Sequence, residues 1–154
     1  MRLDSRDERV ADLLQAWGIA YSYGAGAPKD AAHSWPPDPL PHGIGKAPGL
    51  DCSGFAQVAL VRLGLLSPDA IDRTADALEH ICTPVPEGMA QLGDMAFYGG
   101  PNGASHVMVC LGGGVVLGAR GGGSHTNGDN PQAFVQLEPL HYRSDLRSIG
   151  RPLK

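Results

Sequence analysis

The chain has 154 residues, of which 42% are hydrophobic and 18% are charged. This balance is typical of a folded protein with its own apolar core, and we expect one domain over residues 1–154. The net charge is −4 and the basic residues are scattered, so the sequence offers no basic surface for nucleic acid or for an anionic membrane.

The first predicted helix lies before Gly18, which is expected to end it. Apolar side chains recur there at helical spacing: Leu3, Val10, Leu13, Leu14 and Trp17. Asp4 or Ser5 is available as the N-cap. The opening letters MRLDSRDERV are charged and contain no apolar run, so we expect no signal peptide, and no stretch approaches the length of a membrane span.

A region rich in Pro and Gly follows at about residues 27–49. An irregular segment of this length inside a compact domain is unusual, and such segments are either functional or without a role. Two interpretations stay open: the wall of a substrate groove, or a solvated insertion.

Two further helices are predicted in the middle of the chain. Residues 51–65 carry a dense helical pattern of apolar side chains, with Gly64 near the end, and we expect this helix to be central to the core. A shorter helix is expected over residues 74–82, with Thr74 as its N-cap and with Pro84 following it.

The second half of the chain consists of short apolar runs bounded by turns. Strands are predicted in GDMAFYG, SHVMVCLGGG, VVLGAR, AFVQLEPL and LRSIG, with Gly112–Gly114 forming a hairpin turn. Helices thus occupy the first half and strands the second. This segregation predicts an α+β fold in which N-terminal helices pack on a C-terminal antiparallel β-sheet.

The three cysteines are Cys52, Cys82 and Cys110. An odd number with no CxxC pair indicates a thiol enzyme or a reducing compartment rather than a disulfide scaffold, and no metal site or cofactor is expected. We interpret Cys110 as a core residue on a strand, and Cys82 as a core residue that closes the apolar face of the short helix.

Cys52 differs from the other two because the segment DCSGF places it in the first turn of a helix. Unpaired N–H groups and the positive end of the helix dipole favour the thiolate there. A nucleophilic cysteine also needs a histidine as its base. Of the six histidines, His106 begins a predicted central strand, whereas His80 and His141 have the polar or turn surroundings of surface residues.

A cysteine at a helix start followed by a histidine on a strand is the order found in papain-like enzymes. In addition, YSYGAG, DCSGF, RTADAL, LGDMAFYG and SHVMVCLGGG occur in that order. In these motifs the chain resembles the NlpC-like family of bacterial cell-wall cysteine peptidases, from about Trp17 to Arg151. The resemblance implies a minimal papain-like fold.

The resemblance also implies roles for single residues. Cys52 would attack a peptide carbonyl, His106 would be its general base, and the backbone N–H of Cys52 would contribute to the oxyanion hole. Asp51, Ser53 and Tyr21 would bind the free amine of a stem peptide or line its groove. Structural roles stay open for the last three, since Asp51 is also the expected N-cap.

The chain departs from the family pattern twelve residues after His106. A polar residue, most often His, is usual there, but this chain has Gly118. The group that orients the imidazole is therefore missing from its expected place. His125 is the favoured substitute as a third catalytic residue, with Asn127, a backbone carbonyl or a water as alternatives, and reduced or absent activity is also open.

The resemblance also implies the substrate, the peptide part of peptidoglycan, cleaved between γ-D-glutamate and a diamino acid. Two alternatives remain: an amidase that cuts before L-alanine, and a catalytically weak module that binds the cell wall or forms part of a larger assembly. A phage tail or lysis component, a toxin delivered by a secretion machine, and a cytoplasmic enzyme that recycles wall fragments are all compatible settings. Delivery by a phage or an injection device is the favoured one.

Overall fold

The computed structural model describes residues 6–22, 25, 40–41, 49–67, 74–120 and 132–152. The cap candidates Asp4 and Ser5, most of the 27–49 region, and the loop that holds His125 and Asn127 lie outside these residues. Three α-helices are described, α1 (Arg6–Leu14), α2 (Cys52–Arg62) and α3 (Ala75–His80). None of the described helices is long and apolar enough to cross a membrane.

Helix α2 is the central helix that the apolar pattern predicts. Every residue from Cys52 to Leu60 is buried, so the helix is enclosed on all sides rather than amphipathic. Asp51 caps its first turn in an extended conformation, with its side chain accepting a hydrogen bond from the N–H of Gly54. The chain turns away at Gly64, whose φ of +74° is a conformation that glycine adopts readily.

Helix α3 has the predicted N-cap but ends earlier in the chain than the sequence predicts. The Thr74 side chain accepts a hydrogen bond from the N–H of Ala77 at 3.1 Å. The helix stops at His80, two residues earlier than predicted, and Cys82–Pro84 forms the short strand β1. The prediction that Cys82 closes a helix face is therefore wrong, because Pro84 and its neighbours adopt the extended backbone of a sheet edge.

Six strands form one antiparallel sheet in the order β1-β6-β2-β3-β4-β5. Apart from β1, the strands are β2 (Met95–Gly100), β3 (Gly103–Gly112), β4 (Val115–Arg120), β5 (Phe134–Pro139) and β6 (Leu146–Pro152). A 3-10 helix, Glu87–Met89, lies between β1 and β2. The predicted hairpin turn at Gly112–Gly114 joins β3 to β4, with positive φ at all three glycines. The α+β prediction is confirmed.

The two faces of the sheet have separate apolar clusters. The larger cluster contains α2 residues such as Phe55 together with Phe97 and Val107. The smaller one contains Tyr98 and Met108, which alternate with those residues along β2 and β3 and therefore project from the opposite face. His106 pairs with Tyr98 in the register of β2 and β3. Its ring accordingly stands on the side of the smaller cluster.

Candidate active site

Cys52 is the first residue of α2 and is buried, with 8% of its surface exposed. Its thiol is hydrogen-bonded by the backbone N–H of Val107, the residue after His106 on β3. The backbone N–H groups of Cys52 and Ser53 at the helix start also lower the pKa of the thiol. The structure thus brings the predicted nucleophile to the peptide bond that links His106 to Val107.

The protonation state of Cys52 differs from the expectation. Burial, together with the charge of the nearby Asp51 carboxylate, raises the pKa of the thiol to about 11. The backbone amides at the helix start and at Val107 act in the opposite direction, as the helix-end argument predicts, but burial outweighs them. Cys52 therefore rests as a neutral thiol, and a thiolate would form only after a base removes its proton.

His106, the predicted base, is also buried, with 6% of its surface exposed. Burial, and after it the charge of Arg143, lowers the pKa of the imidazole to about 3. The ring is therefore neutral at physiological pH and able to accept a proton. Its Nε2 atom lies 2.7 Å from the hydroxyl oxygen of Tyr142.

Aromatic rings surround the imidazole. The ring of Tyr98 is centred 5.6 Å from that of His106, and the ring of Tyr142 is centred 6.4 Å from it. The sequence analysis did not identify Tyr142, because it lies in a turn 36 residues after His106 with no motif around it. Only the path of the chain from β4 through β5 brings it to the histidine.

Gly118 lies on β4 across from Met108, since the strand register pairs Val109 with Leu117. A β-carbon at position 118 would lie 2.6 Å from the Met108 sulfur. The place where the family pattern has a third polar residue is therefore closed by a methionine. The predicted substitute, His125, lies outside the described residues, so its role stays a prediction.

The three predicted substrate-binding residues lie close together around the start of α2. Asp51 Oδ1 accepts hydrogen bonds from the N–H of Gly54 at 2.7 Å and from the Ser53 hydroxyl at 3.3 Å. Tyr21 forms a β-bridge with Leu50 and is 5% exposed. These contacts show the structural roles of Asp51 and Ser53, and their binding roles stay predictions.

The other described candidates have no part in this site. His80 and His141 are exposed and bonded to Asp76 and Glu87, which confirms their prediction as surface residues. Cys110 is buried in the smaller cluster, as predicted. Among the described residues no three His, Cys, Asp or Glu side chains are grouped so that they could hold a metal ion.

Comparison with known proteins gives the same family as the sequence motifs. A model of the NlpC/P60 family matches residues 18–137. The peptidoglycan endopeptidase RipB of Mycobacterium tuberculosis is 35% identical over 104 residues, which are 68% of this chain and 39% of RipB. The match thus spans well under half the length of that relative.

Solved structures support the same assignment. The P60 domain of an antigen from M. avium subspecies paratuberculosis matches with a TM-score of 0.68 at 25% identity, covering 95% of this chain and 93% of that one. RipD of M. tuberculosis, a non-catalytic NlpC/p60 domain protein with an adaptation to peptidoglycan binding, matches with a TM-score of 0.62 at 26% identity, covering 96% and 97%. In its sequence and in its fold, the chain belongs to the NlpC/P60 family.

Proposed function

We propose that the chain is a cysteine peptidase that hydrolyses the stem peptides of peptidoglycan, between γ-D-glutamate and a diamino acid. The observation that carries the proposal is the hydrogen bond from the Val107 amide to the Cys52 thiol, one peptide bond from a buried, neutral His106. The name of the relative RipB, a peptidoglycan endopeptidase, supports the choice of substrate.

The proposed reaction proceeds in two halves. The Cys52 proton passes to His106 as the sulfur attacks the carbonyl carbon, and the amide N–H of Cys52 at the helix start stabilises the oxyanion. The C–N bond then breaks as the imidazolium gives its proton to the leaving amine, which leaves a thioester on Cys52. His106 takes a proton from water, the hydroxide attacks the thioester, and the carboxylic acid and the free thiol result.

Digestion of purified peptidoglycan tests this proposal. Wild type should release new amino termini on the diamino acid. Cys52→Ala and His106→Ala should each lower the rate by at least about a thousandfold, because the nucleophile and its base act together and neither works without the other. Cys82→Ala is the matched control, since it removes a half-buried thiol from β1 and should keep full activity. Mass spectrometry of the products identifies the bond, and new termini on L-alanine would instead show an amidase.

A second candidate is a module that binds peptidoglycan without cleaving it. Two observations favour it: glycine at position 118, and similarity to RipD, which is non-catalytic. The same digestion decides between the two. If wild type and Cys52→Ala both release nothing while both sediment with peptidoglycan, the peptidase proposal is wrong and the binding module is correct.

A further inference from the structure

A histidine that acts as a base needs a partner on its second ring nitrogen, which fixes the tautomer and the orientation of the ring. Position 118 cannot supply this partner because it is a glycine packed against Met108. Another side chain reaches the imidazole instead. The hydroxyl oxygen of Tyr142 lies 2.7 Å from His106 Nε2, which is the distance of a good hydrogen bond.

Tyr142 is held in this place from several directions. Its backbone N–H donates to the carbonyl of Pro139 at 3.0 Å, which fixes the turn after β5. Its ring meets that of Tyr98 edge to face, with the centroids 5.5 Å apart. The guanidinium of Arg120, on β4, lies 5.3 Å from the centre of the ring.

We infer that Tyr142 is the positioning residue of the catalytic histidine and takes over the task that the residue at position 118 cannot perform. This inference rests on the proposed function, because it assigns a role to a residue that acts through His106. The phenolic oxygen accepts a hydrogen bond from Nε2–H. The lone pair of Nδ1 is then free to take the proton of Cys52.

The chemistry of a phenol distinguishes this arrangement from one with a carboxylate. Burial raises the pKa of Tyr142 to about 12, so the hydroxyl is uncharged at physiological pH. It can orient the imidazole without placing a negative charge beside it. Tyr142 thus fixes the tautomer while His106 keeps the depressed pKa that burial and Arg143 give it.

Tyr142→Phe keeps the ring and removes the hydroxyl, and with it the proposed hydrogen bond to His106 and the contacts of that hydroxyl with the Arg120 and Arg143 side chains. We expect kcat for stem-peptide hydrolysis to fall about 10- to 100-fold with KM unchanged, because loss of an orienting partner has effects of this size. Tyr98→Phe is the matched control. The Tyr98 hydroxyl donates to the carbonyl of Leu140 at 2.7 Å, so the variant loses a buried hydrogen bond beside His106 that does not involve it.

Two readouts do not depend on hydrolysis. Nitrogen-15 NMR of the His106 ring should show the Nε2–H tautomer in wild type and in Tyr98→Phe, and a mixture of tautomers in Tyr142→Phe. Alkylation of Cys52 by iodoacetamide at neutral pH, followed by the mass of its peptide, should slow about tenfold in Tyr142→Phe. In a His106→Gln background the Tyr142→Phe change should have no further effect on alkylation.

The outcomes separate the two proposals. If wild type does not hydrolyse peptidoglycan but the tautomer and alkylation results are as expected, the proposed function fails and the role of Tyr142 stands. An unchanged tautomer and alkylation rate in Tyr142→Phe would overturn the role of Tyr142, even in an active enzyme. Equal losses in Tyr98→Phe and Tyr142→Phe would also overturn it, since they would show a general loss of packing.

Discussion

The protonation states of Cys52 and His106 bear on how the proposed reaction would begin. Burial raises one pKa to about 11 and lowers the other to about 3, so each group is neutral over the range between these values. A preformed thiolate and imidazolium would require the opposite shifts. In the proposed reaction, proton transfer therefore accompanies attack, with His106 as the general base.

The charge of Asp51 helps to keep the Cys52 thiol neutral. Asp51→Asn removes this charge but keeps a side chain that can cap α2. Asparagine caps helices about as well as aspartate, so the free energy of unfolding should change by less than about 0.5 kcal/mol. The Asp51 carboxylate raises the Cys52 pKa. Its removal should therefore move the alkaline rise of iodoacetamide alkylation at Cys52 to lower pH.

Asp51→Ala provides the comparison for this prediction. It removes the charge and the cap together, so the same alkylation shift should appear with a stability loss of about 1 kcal/mol, measured by urea unfolding. If Asp51→Asn loses as much stability as Asp51→Ala while its alkylation curve stays in place, the charge has no influence on the thiol.

On strands β3 and β4, the side chain of Met108 and the glycine at position 118 occupy neighbouring positions. Met108 is fully buried, and its sulfur occupies the space that a side chain at Gly118 would need. The large residue on one strand and the glycine on the other fill the same volume. A polar side chain therefore cannot be introduced at position 118 without a change at Met108.

A double-mutant cycle on this pair tests the shared volume. Gly118→Ala should lower the free energy of unfolding by about 1–2 kcal/mol, because the new methyl displaces a buried methionine. Met108→Ala should cost about 2–5 kcal/mol through the cavity that it leaves. In the Met108→Ala background Gly118→Ala should be neutral or stabilising, as measured by denaturant unfolding, and additive losses would contradict the shared volume.

The elements that the sequence predicts well are those with a periodic apolar pattern. This pattern predicts helix α2 and strands β2 to β6. A buried helix or strand needs apolar residues at regular spacing, and that spacing can be read from the local sequence. Strand β1 has no such pattern, because three residues with a proline are too short to show alternation. For the same reason the sequence predicts that α3 continues through the residues that form the start of β1.

Some residues of the candidate site could be predicted from the sequence and others could not. Cys52 and His106 could be predicted because each lies in a motif at the start of an element. Tyr142 could not, since its contact with His106 joins residues 36 positions apart and depends on the turn that follows β5. A hydrogen bond of this kind is a property of the tertiary structure and has no local sequence signal.

At the scale of the whole molecule, the site depends on segments from both halves of the chain. The segment around Tyr21 bonds to Leu50 on one side and to Ala133 on the other, so it ties the start of α2 to the segment leading into β5. Strand β6 pairs with both β1 and β2, and Arg151 on β6 bonds to the buried Asp94 at 2.9 Å. His106 and Cys52 are thus held by contacts between segments distant in sequence.

Burial of a neutral His106 makes the stability of the whole fold depend on pH. In the unfolded chain its pKa is about 6.5, whereas in the folded protein it is about 3, so the unfolded state binds the extra proton between these values. Stability should therefore fall as the pH drops below 6.5, with a slope approaching about 1.4 kcal/mol per pH unit from this residue. Urea unfolding of wild type and His106→Gln from pH 7 to pH 4.5 measures this slope. The free energy of unfolding of the variant should depend less steeply on pH by that slope. Parallel plots of the two proteins would mean that His106 is protonated in the folded protein as readily as in the unfolded chain.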